Sequence, residues 1–359
     1  MTFNKKLLAG LVAFAAASTS AQAVTVAAND GWELGVGGSV NQFLTFTSDD
    51  TAGGQDETHL QNGLLPAFLN FDFKAPTMNG LDIAAHISFS PSTNQSSYEG
   101  FEQREVYFTV DGSFGQVLAG KALGLYGAKN ILTDQTLFGV GYGTGTADGT
   151  TTLGGIGLGY DYASWRSQVK WTSNDMSGFK VALAAVDGAN GSVSLSGKPT
   201  GSIESGGTST DELRYEAELS YAGAFDGGSF SAWVSGMTQD ADNAGDHDTD
   251  AYSVGGTMTF GGIEAMAQYS DAEADDEEWS QYLVQAGYRF AGTTLVSAQY
   301  AELEDDNAPT NDTVDKMTVG VYHDVNANLK LVAEYTKVED DDSNALDQDI
   351  ISLGGFVFF

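Results

Sequence analysis

Every second residue is apolar in segment after segment of this chain, and that period of two is what a strand with one dry and one wet face requires. Leu213, Tyr215, Ala217, Leu219 and Tyr221 share one face, while Arg214, Glu216, Glu218 and Ser220 share the other. The same holds where Leu81, Ile83, Ala85, Ile87 and Phe89 oppose Asp82, His86, Ser88 and Ser90. Tyr282, Val284, Ala286, Tyr288 and Phe290 oppose Gln281, Gln285 and Arg289, and Leu329, Leu331, Ala333 and Tyr335 oppose Lys330, Glu334 and Thr336. Hardly any stretch after the first residues shows a helical period.

The connections alternate between short and long. Short ones fall near Ala75-Pro76-Thr77-Met78-Asn79-Gly80, Asp111-Gly112-Ser113, Asn174-Asp175-Met176-Ser177-Gly178, Phe225-Asp226-Gly227-Gly228, Gly261-Gly262, Ala291-Gly292 and Asp324 to Asn328. Long polar ones cover Ser48 to Asn62, Pro91 to Gly100, Ala122 to Gly159, Gly188 to Thr210, Asp240 to Thr249, Ala272 to Glu277, Leu303 to Thr313 and Asp340 to Asp347. About 16 strands and eight long loops give the asymmetry of a bacterial outer-membrane barrel. A soluble β-sandwich also alternates, but with fewer and less even strands. Two features favour the barrel. Tyr221, Tyr269, Tyr288, Tyr300 and Tyr335 sit at strand ends, and the apolar faces quoted above carry no charge, which would cost about 2–4 kcal/mol at mid-bilayer. The expected fold is all-β: a 16-stranded antiparallel transmembrane β-barrel with one loop folded inward.

Lys5 and Lys6 precede the apolar run Leu7 to Ala17, and Ala21-Gln22-Ala23 offers a small-x-small cleavage site. Residues 1–23 therefore read as a signal peptide and 24–359 as the barrel domain. No later stretch reaches the roughly 20 continuous apolar residues of a membrane helix, so strands must supply any spanning structure. The formal net charge is −34, and loss of Lys5 and Lys6 makes it more negative still. That repels phosphate backbones and excludes nucleic acid as a partner. With no cysteine, an exported chain needs another means of stabilisation, and a closed hydrogen-bonded barrel supplies it. Glycine at 45 residues against 5 prolines suits tight turns and uninterrupted strands.

Leu353, Gly355, Val357 and Phe359 share one face of the last segment, with an aromatic side chain at the end. This is similar to the terminal strand by which the barrel-assembly machinery recognises outer-membrane barrels. The stretch REVYFTVDGSFGQVLAGKALG, from Arg104, resembles the strand, tight turn and strand that lead into the constriction loop of Gram-negative trimeric porins. WRSQVKWTSNDMSGFKVALAA, from Trp165, is similar to the strand-turn-strand that follows that loop. The acidity and short loops look more like the alphaproteobacterial members than the enteric ones. The resemblance implies a homotrimer in outer-membrane lipid, each barrel narrowed by its third long loop, here about residues 122–159.

Carried over by position, the resemblance implies a basic pore wall of Arg104, Lys121, Lys170 and Arg166. The strand pattern supports Arg166 and Lys170, because Trp165, Val169 and Trp171 take the outer face; Arg214 also falls on an inner face. For Arg104 the two readings differ: alternation with Val106, Phe108 and Val110 outside puts Glu105 in the lumen and Arg104 outside. The loop has Leu137-Phe138-Gly139-Val140 where enteric porins have Pro-Glu-Phe-Gly-Gly. Its acids are Asp134 and Asp148. Either they face Arg166, Lys170 and Lys121 across the eyelet, or they are solvated loop acids.

Enzyme and metal chemistry lack their constellations. His59, His86, His247 and His323 are scattered, no Gly-x-Ser-x-Gly occurs, and the glycines from Gly139 do not fit Gly-x-Gly-x-x-Gly. No organic cofactor or resident metal is expected. Asp246, Asp248 and Asp250 offer oxygen ligands for Ca²⁺ at an extracellular loop, though a solvated, cation-attracting mouth explains such runs as well. The expected function is passive, cation-preferring diffusion of ions and small hydrophilic solutes. A solute-specific channel or an acidic calcium-binding adhesin are the alternatives.

Overall fold

The structure is a computed structural model, and it describes residues 24–49, 54–93, 101–143, 151–189, 209–240, 248–274, 277–305, 312–341 and 347–359. The proposed leader and Asp148 lie outside them. The described chain forms β1 (Val24–Asn29), β2 (Trp32–Asp49), β3 (Glu57–Gln61), β4 (Phe68–Lys74), β5 (Asp82–Pro91), β6 (Phe101–Gly112) and β7 (Gly115–Leu123). After a long connection come β8 (Trp165–Thr172), β9 (Phe179–Ala189), β10 (Ser209–Phe225), β11 (Gly228–Gln239), β12 (Thr249–Phe260) and β13 (Ile263–Ala274). The remainder is β14 (Glu277–Phe290), β15 (Thr294–Asp305), β16 (Asp312–Asn326), β17 (Leu329–Asp340) and β18 (Gln348–Phe358).

Each strand from β4 to β18 pairs antiparallel with the next, and β18 returns to β2, closing the sheet. Two lines around the barrel are composite. Along one side of β2, β18 pairs with Ser39 to Asp49 and β1 with Trp32 to Val36. Along the other, β3 pairs with Phe43 to Thr47 and β4 with Glu33 to Ser39. The 18 strands thus occupy 16 positions around the wall. β3 falls within the expected long connection from Ser48 to Asn62, and its five residues are too few to show a period.

The turns at the short-connection end explain the tight register. Asn79-Gly80, Ser177-Gly178, Gly261-Gly262 and Ala291-Gly292 each have two consecutive positive φ angles. That is the primed-turn geometry whose twist matches a two-residue hairpin. A hairpin at Asp30-Gly31, with φ of 52° and 84°, joins β1 to β2.

The outer face is apolar: Leu213, Leu219, Val254, Leu331 and Leu353 are each roughly half exposed on the isolated barrel. Water would make that surface costly, whereas hydrocarbon accepts it, and a closed barrel satisfies every strand's backbone groups. Aromatic belts bound it. Near the short turns Phe179 meets Tyr221 at 4.4 Å between ring centroids, and Tyr221 meets Phe230 at 5.6 Å. Near the long loops Tyr282 and Tyr300 lie 5.9 Å apart. There Tyr282 Oη donates to Glu302 (3.0 Å) and Tyr300 Oη to Asp315 (2.6 Å), so ring bodies meet lipid and polar tips meet water.

The inner face is less uniformly wet than alternation suggests. Trp279, Leu303, Val314, Val338 and Ile350 point inward and pack on Tyr126, Tyr142 and Leu158 of the connection between β7 and β8. This apolar bed draws the loop into the barrel, since burying its surface is favourable by about 25 cal/mol per Å².

Candidate functional site: the constriction

The connection after β7 turns inward at Gly124, whose N–H donates to Ser164 O (2.9 Å) and so ties the loop's two legs together. A short helix follows, Ala128–Thr133. Its six residues are too few for the sequence to show a helical period. Asp134 ends it in extended conformation and caps the next turn, Gln135–Phe138, by accepting from Thr136 N at 2.8 Å. Gly141 and Gly154 then bridge the ascending and returning segments.

Both walls hold this loop by hydrogen bonds to its backbone. On β10, Glu216 accepts from Leu125 N (2.6 Å) and Tyr126 N (3.0 Å), and its other oxygen lies 2.8 Å from Arg214 Nε. On β17, Glu334 accepts from Val140 N (2.7 Å), Gly141 N (3.0 Å) and Tyr322 Oη (2.6 Å). Lys316 on β16 donates to Gly154 O (2.7 Å) and Gln299 Oε1 (2.8 Å). Hydrogen bonds to charged groups contribute about 1.5–3 kcal/mol each, so these buried carboxylates fasten the loop more firmly than neutral residues would.

Two carboxylates of the loop reach the wall in return. Asp161 accepts from Tyr126 Oη (2.6 Å), Trp279 Nε1 (2.9 Å) and Gln281 Nε2 (2.9 Å). Complete burial pushes its pKa up to about 6, against the pull of those donors and of Arg214. Asp134 accepts from Thr136 N and Oγ1, Tyr160 Oη (2.6 Å) and Gln299 Nε2 (2.7 Å).

The sequence-based candidates separate accordingly. Arg166 and Lys170 stand on the inner face of β8, opposite Ala122 and Leu118 of β7. Arg166 is buried and donates through Nη1 to Asp187 O (2.9 Å). Lys170 stands in the field of Glu216, Glu218, Glu105 and Lys129. Lys129, on the loop helix, approaches Glu218 to 3.9 Å. Arg214 also points inward and pairs with Glu216. Of these groups Lys129, Lys170 and Glu105 keep partial exposure, whereas Arg166, Arg214, Glu216 and Glu218 are buried.

Arg104 is buried rather than outward, its Nε donating to Glu102 (2.9 Å). Strand β6 carries extra chain between Glu102, opposite Ser90, and Glu105, opposite Ser88. That irregularity breaks the alternation counted from Phe108 and turns Arg104 toward Tyr162 of the loop. Lys121 departs from expectation. It lies opposite Val106 on β6 and the exposed Ser167 on β8, on the outer face, with Nζ donating to Gln103 O (3.1 Å). Opposed residues in adjacent strands share a face, so Lys121 is not in the lumen.

Asp134 departs too. It turns to the β15–β16 side, and neither Arg166 nor Lys170 has it among the charges acting upon it. A capping residue aims its carboxylate at its own turn, and that turn faces the far wall. Phe359 closes the seam, exchanging backbone hydrogen bonds with Gly38 at 2.8 and 3.0 Å. Among the described residues no three His, Cys, Asp or Glu side chains are gathered to hold a metal, and Asp246 lies outside them.

Alternation did not single out the loop's fasteners Glu216, Glu334, Asp161 and Lys316. Glu216 and Glu334 could have been found as carboxylates mid-strand on a wet face, where only a partner inside the barrel justifies a buried charge.

A family model described as Gram-negative porin matches residues 8–343. No curated protein matches the sequence. The fold resembles the anion-selective porin from Comamonas acidovorans, at TM-score 0.70 and 16% identity over 91% of this chain and 100% of that one. It also resembles Salmonella typhi OmpF in complex with daunomycin, at TM-score 0.67 and 13% identity over 93% and 99%. A trimer form of OmpT from Vibrio cholerae gives TM-score 0.58 and 16% identity over 92% and 100%. At such identities these likenesses concern the fold alone. The family model spans most of the sequence, and the barrel with its inward loop agrees with it: the chain belongs to the Gram-negative porin family, channels of the bacterial outer membrane.

Proposed function

We propose that this porin serves passive diffusion of ions and small hydrophilic solutes, with a preference for cations set at its extracellular mouth. One observation carries the preference. Strand ends on the long-loop side bear Asp250, Glu273, Glu304, Asp315, Glu339 and Asp349, within a chain of formal net charge −34. A mouth of one sign enriches counter-ions within about a Debye length, roughly 8 Å at physiological salt. The competing reading is anion preference, favoured by Arg166, Lys170, Arg214 and Lys129 beside the constriction.

Reversal potentials across planar bilayers in a KCl gradient decide between them. Cation preference that weakens as salt rises supports the proposal; anion preference at low salt overturns it. Liposome swelling with sugars of graded size tests the transport reading, and unsaturable, size-limited uptake is expected. A homotrimer in outer-membrane lipid is proposed with it, supported by the apolar outer face and by the trimer form of the OmpT structure. The same reading gives Phe359 a part in recognition by the barrel-assembly machinery, and Ca²⁺ a place between acidic extracellular loops.

A further inference from the structure

Beneath the constriction loop, toward the short-turn end of the barrel, lies a cavity of about 300 Å³. Ligand pockets begin at about that size. Leu132 and Phe138 of the loop and Trp233, Met266 and Leu295 of the wall give it an apolar bed. Trp233 reaches over β12 because residue 255 is glycine; a Cβ there would come within 2.3 Å of the indole Cζ2. Trp233 is only 4% exposed, yet its Nε1–H finds no acceptor among the described residues. Gln268, opposite Gly255 in the sheet, has a side-chain amide that is likewise unmatched among the described residues. A buried indole N–H ordinarily has a partner, so this wall offers an apolar surface with a donor in reserve.

The charged rim is unbalanced. Among the described residues four cations line the cavity: Lys129, Lys180, Arg289 and Lys330. Arg289 is paired with Glu264, and Lys330 with Asp324. Among the described residues Lys129 has only its 3.9 Å approach to Glu218. Lys180, half-buried on the inner face of β9 opposite Ser220, makes no ion pair with the described residues. Of the acids on the rim, Glu264 is committed to Arg289, Asp134 to Thr136, Tyr160 and Gln299, and Asp175 accepts from Gly178 N at 3.1 Å.

We propose that this cavity is a binding subsite for small aromatic carboxylates, the ring lying against Trp233, Met266 and Phe138 and the carboxylate turned to Lys129 and Lys180. The inference rests on the channel reading, because the lumen is the solute's route to the cavity. A weak site below the constriction raises flux at low concentration and saturates at high concentration, provided the solute can still leave.

Calorimetry on the folded protein in detergent tests it with sodium benzoate, sodium acetate, benzyl alcohol and benzylammonium chloride. Benzoate is expected to bind saturably, and the other three, each lacking either ring or negative charge, at least about tenfold more weakly. Trp233→Phe and Lys180→Gln, compared only in preparations that keep the compact unheated gel mobility of a folded barrel, should each weaken benzoate several-fold. Equal affinity for benzoate and benzylammonium, or benzoate binding indifferent to both substitutions, overturns the proposal. If Trp233→Phe fails to fold, Lys180→Gln at the wetter rim decides alone. Single-channel recording separates the two readings. A protein that conducts KCl without binding benzoate loses only the subsite, and one that conducts nothing loses the channel while calorimetry still decides the cavity.

Discussion

Gly139 and Glu334 approach so closely that a Cβ on the glycine would lie 1.7 Å from the carboxylate Oε1. The loop and β17 interlock at that point, and the same carboxylate receives Val140 N and Gly141 N. Gly139→Ala is expected to push the loop off this wall. Each buried donor left unmatched costs about 1–3 kcal/mol. Single channels should become noisier and admit larger sugars in swelling assays, while unchanged conductance in a folded variant would mean that the loop is held elsewhere.

Arg214 and Glu216 form a fully buried pair, with side chains 1% and 0% exposed. Removing one partner of such a pair costs about 3–5 kcal/mol. Glu216→Gln should lower resistance to urea by that order and release Leu125 and Tyr126 at the start of the loop. Because the two residues act as a unit, Arg214→Gln combined with Glu216→Gln should cost less than the sum of the single changes. Additive losses would show that the two act independently.

Asp161 gives the loop a pH dependence of definite sign. Burial raises its folded-state value to about 6, above an unfolded value of about 4. The native state therefore holds this proton more tightly. The group's contribution favours the folded protein at low pH and is lost as pH rises from about 4 to about 6. The stability difference between wild type and Asp161→Asn should fall across that window, by at most about 3 kcal/mol, and stay flat above it. A difference that does not vary between those limits would contradict the assignment.

Asp134→Asn and Lys170→Gln should separate fastening from selectivity. Asp134 is spent on Thr136, Tyr160 and Gln299, so its substitution should lower thermal stability and leave the reversal potential in a KCl gradient nearly unchanged. Lys170 faces the lumen among Glu105, Glu216 and Glu218, and its neutralisation should shift that potential toward greater cation preference. The reverse pattern would return Asp134 to the eyelet.

The barrel was legible because one rule, alternation, is enforced by lipid on every strand; the inward places of Arg214, Glu216, His86 and Glu334 all follow from it. Alternation fails where extra chain enters a strand, and Arg104 beyond the irregularity in β6 was unreadable for that reason. Lys121 shows the opposite failure: a family position suggested the pore, while the register with Val106 and Ser167 puts the residue outside. Asp134 fits neither alternative, facing the basic wall or standing solvated, because the direction of a loop side chain depends on a cap and a far wall that share no local pattern. The buried fasteners answer to contacts such as Val140 with Glu334, far apart in sequence, which no short window contains.

The seam along β2 has a kinetic consequence. The line beside β2 is completed by β18 and β1 laid end to end, so Ser39 must find Phe358 and Val36 must find Val24. Until β18 pairs with β2, the sheet is an open ribbon with two raw edges, each a row of unpaired backbone donors and acceptors that invites pairing with another chain. Closure is thus a contact between the earliest and latest strands, among the slowest kinds to form. The unclosed ribbon must be shielded until the last strand arrives, and Phe359, bonded to Gly38 on both sides of its peptide, is the latch that ends that vulnerable interval.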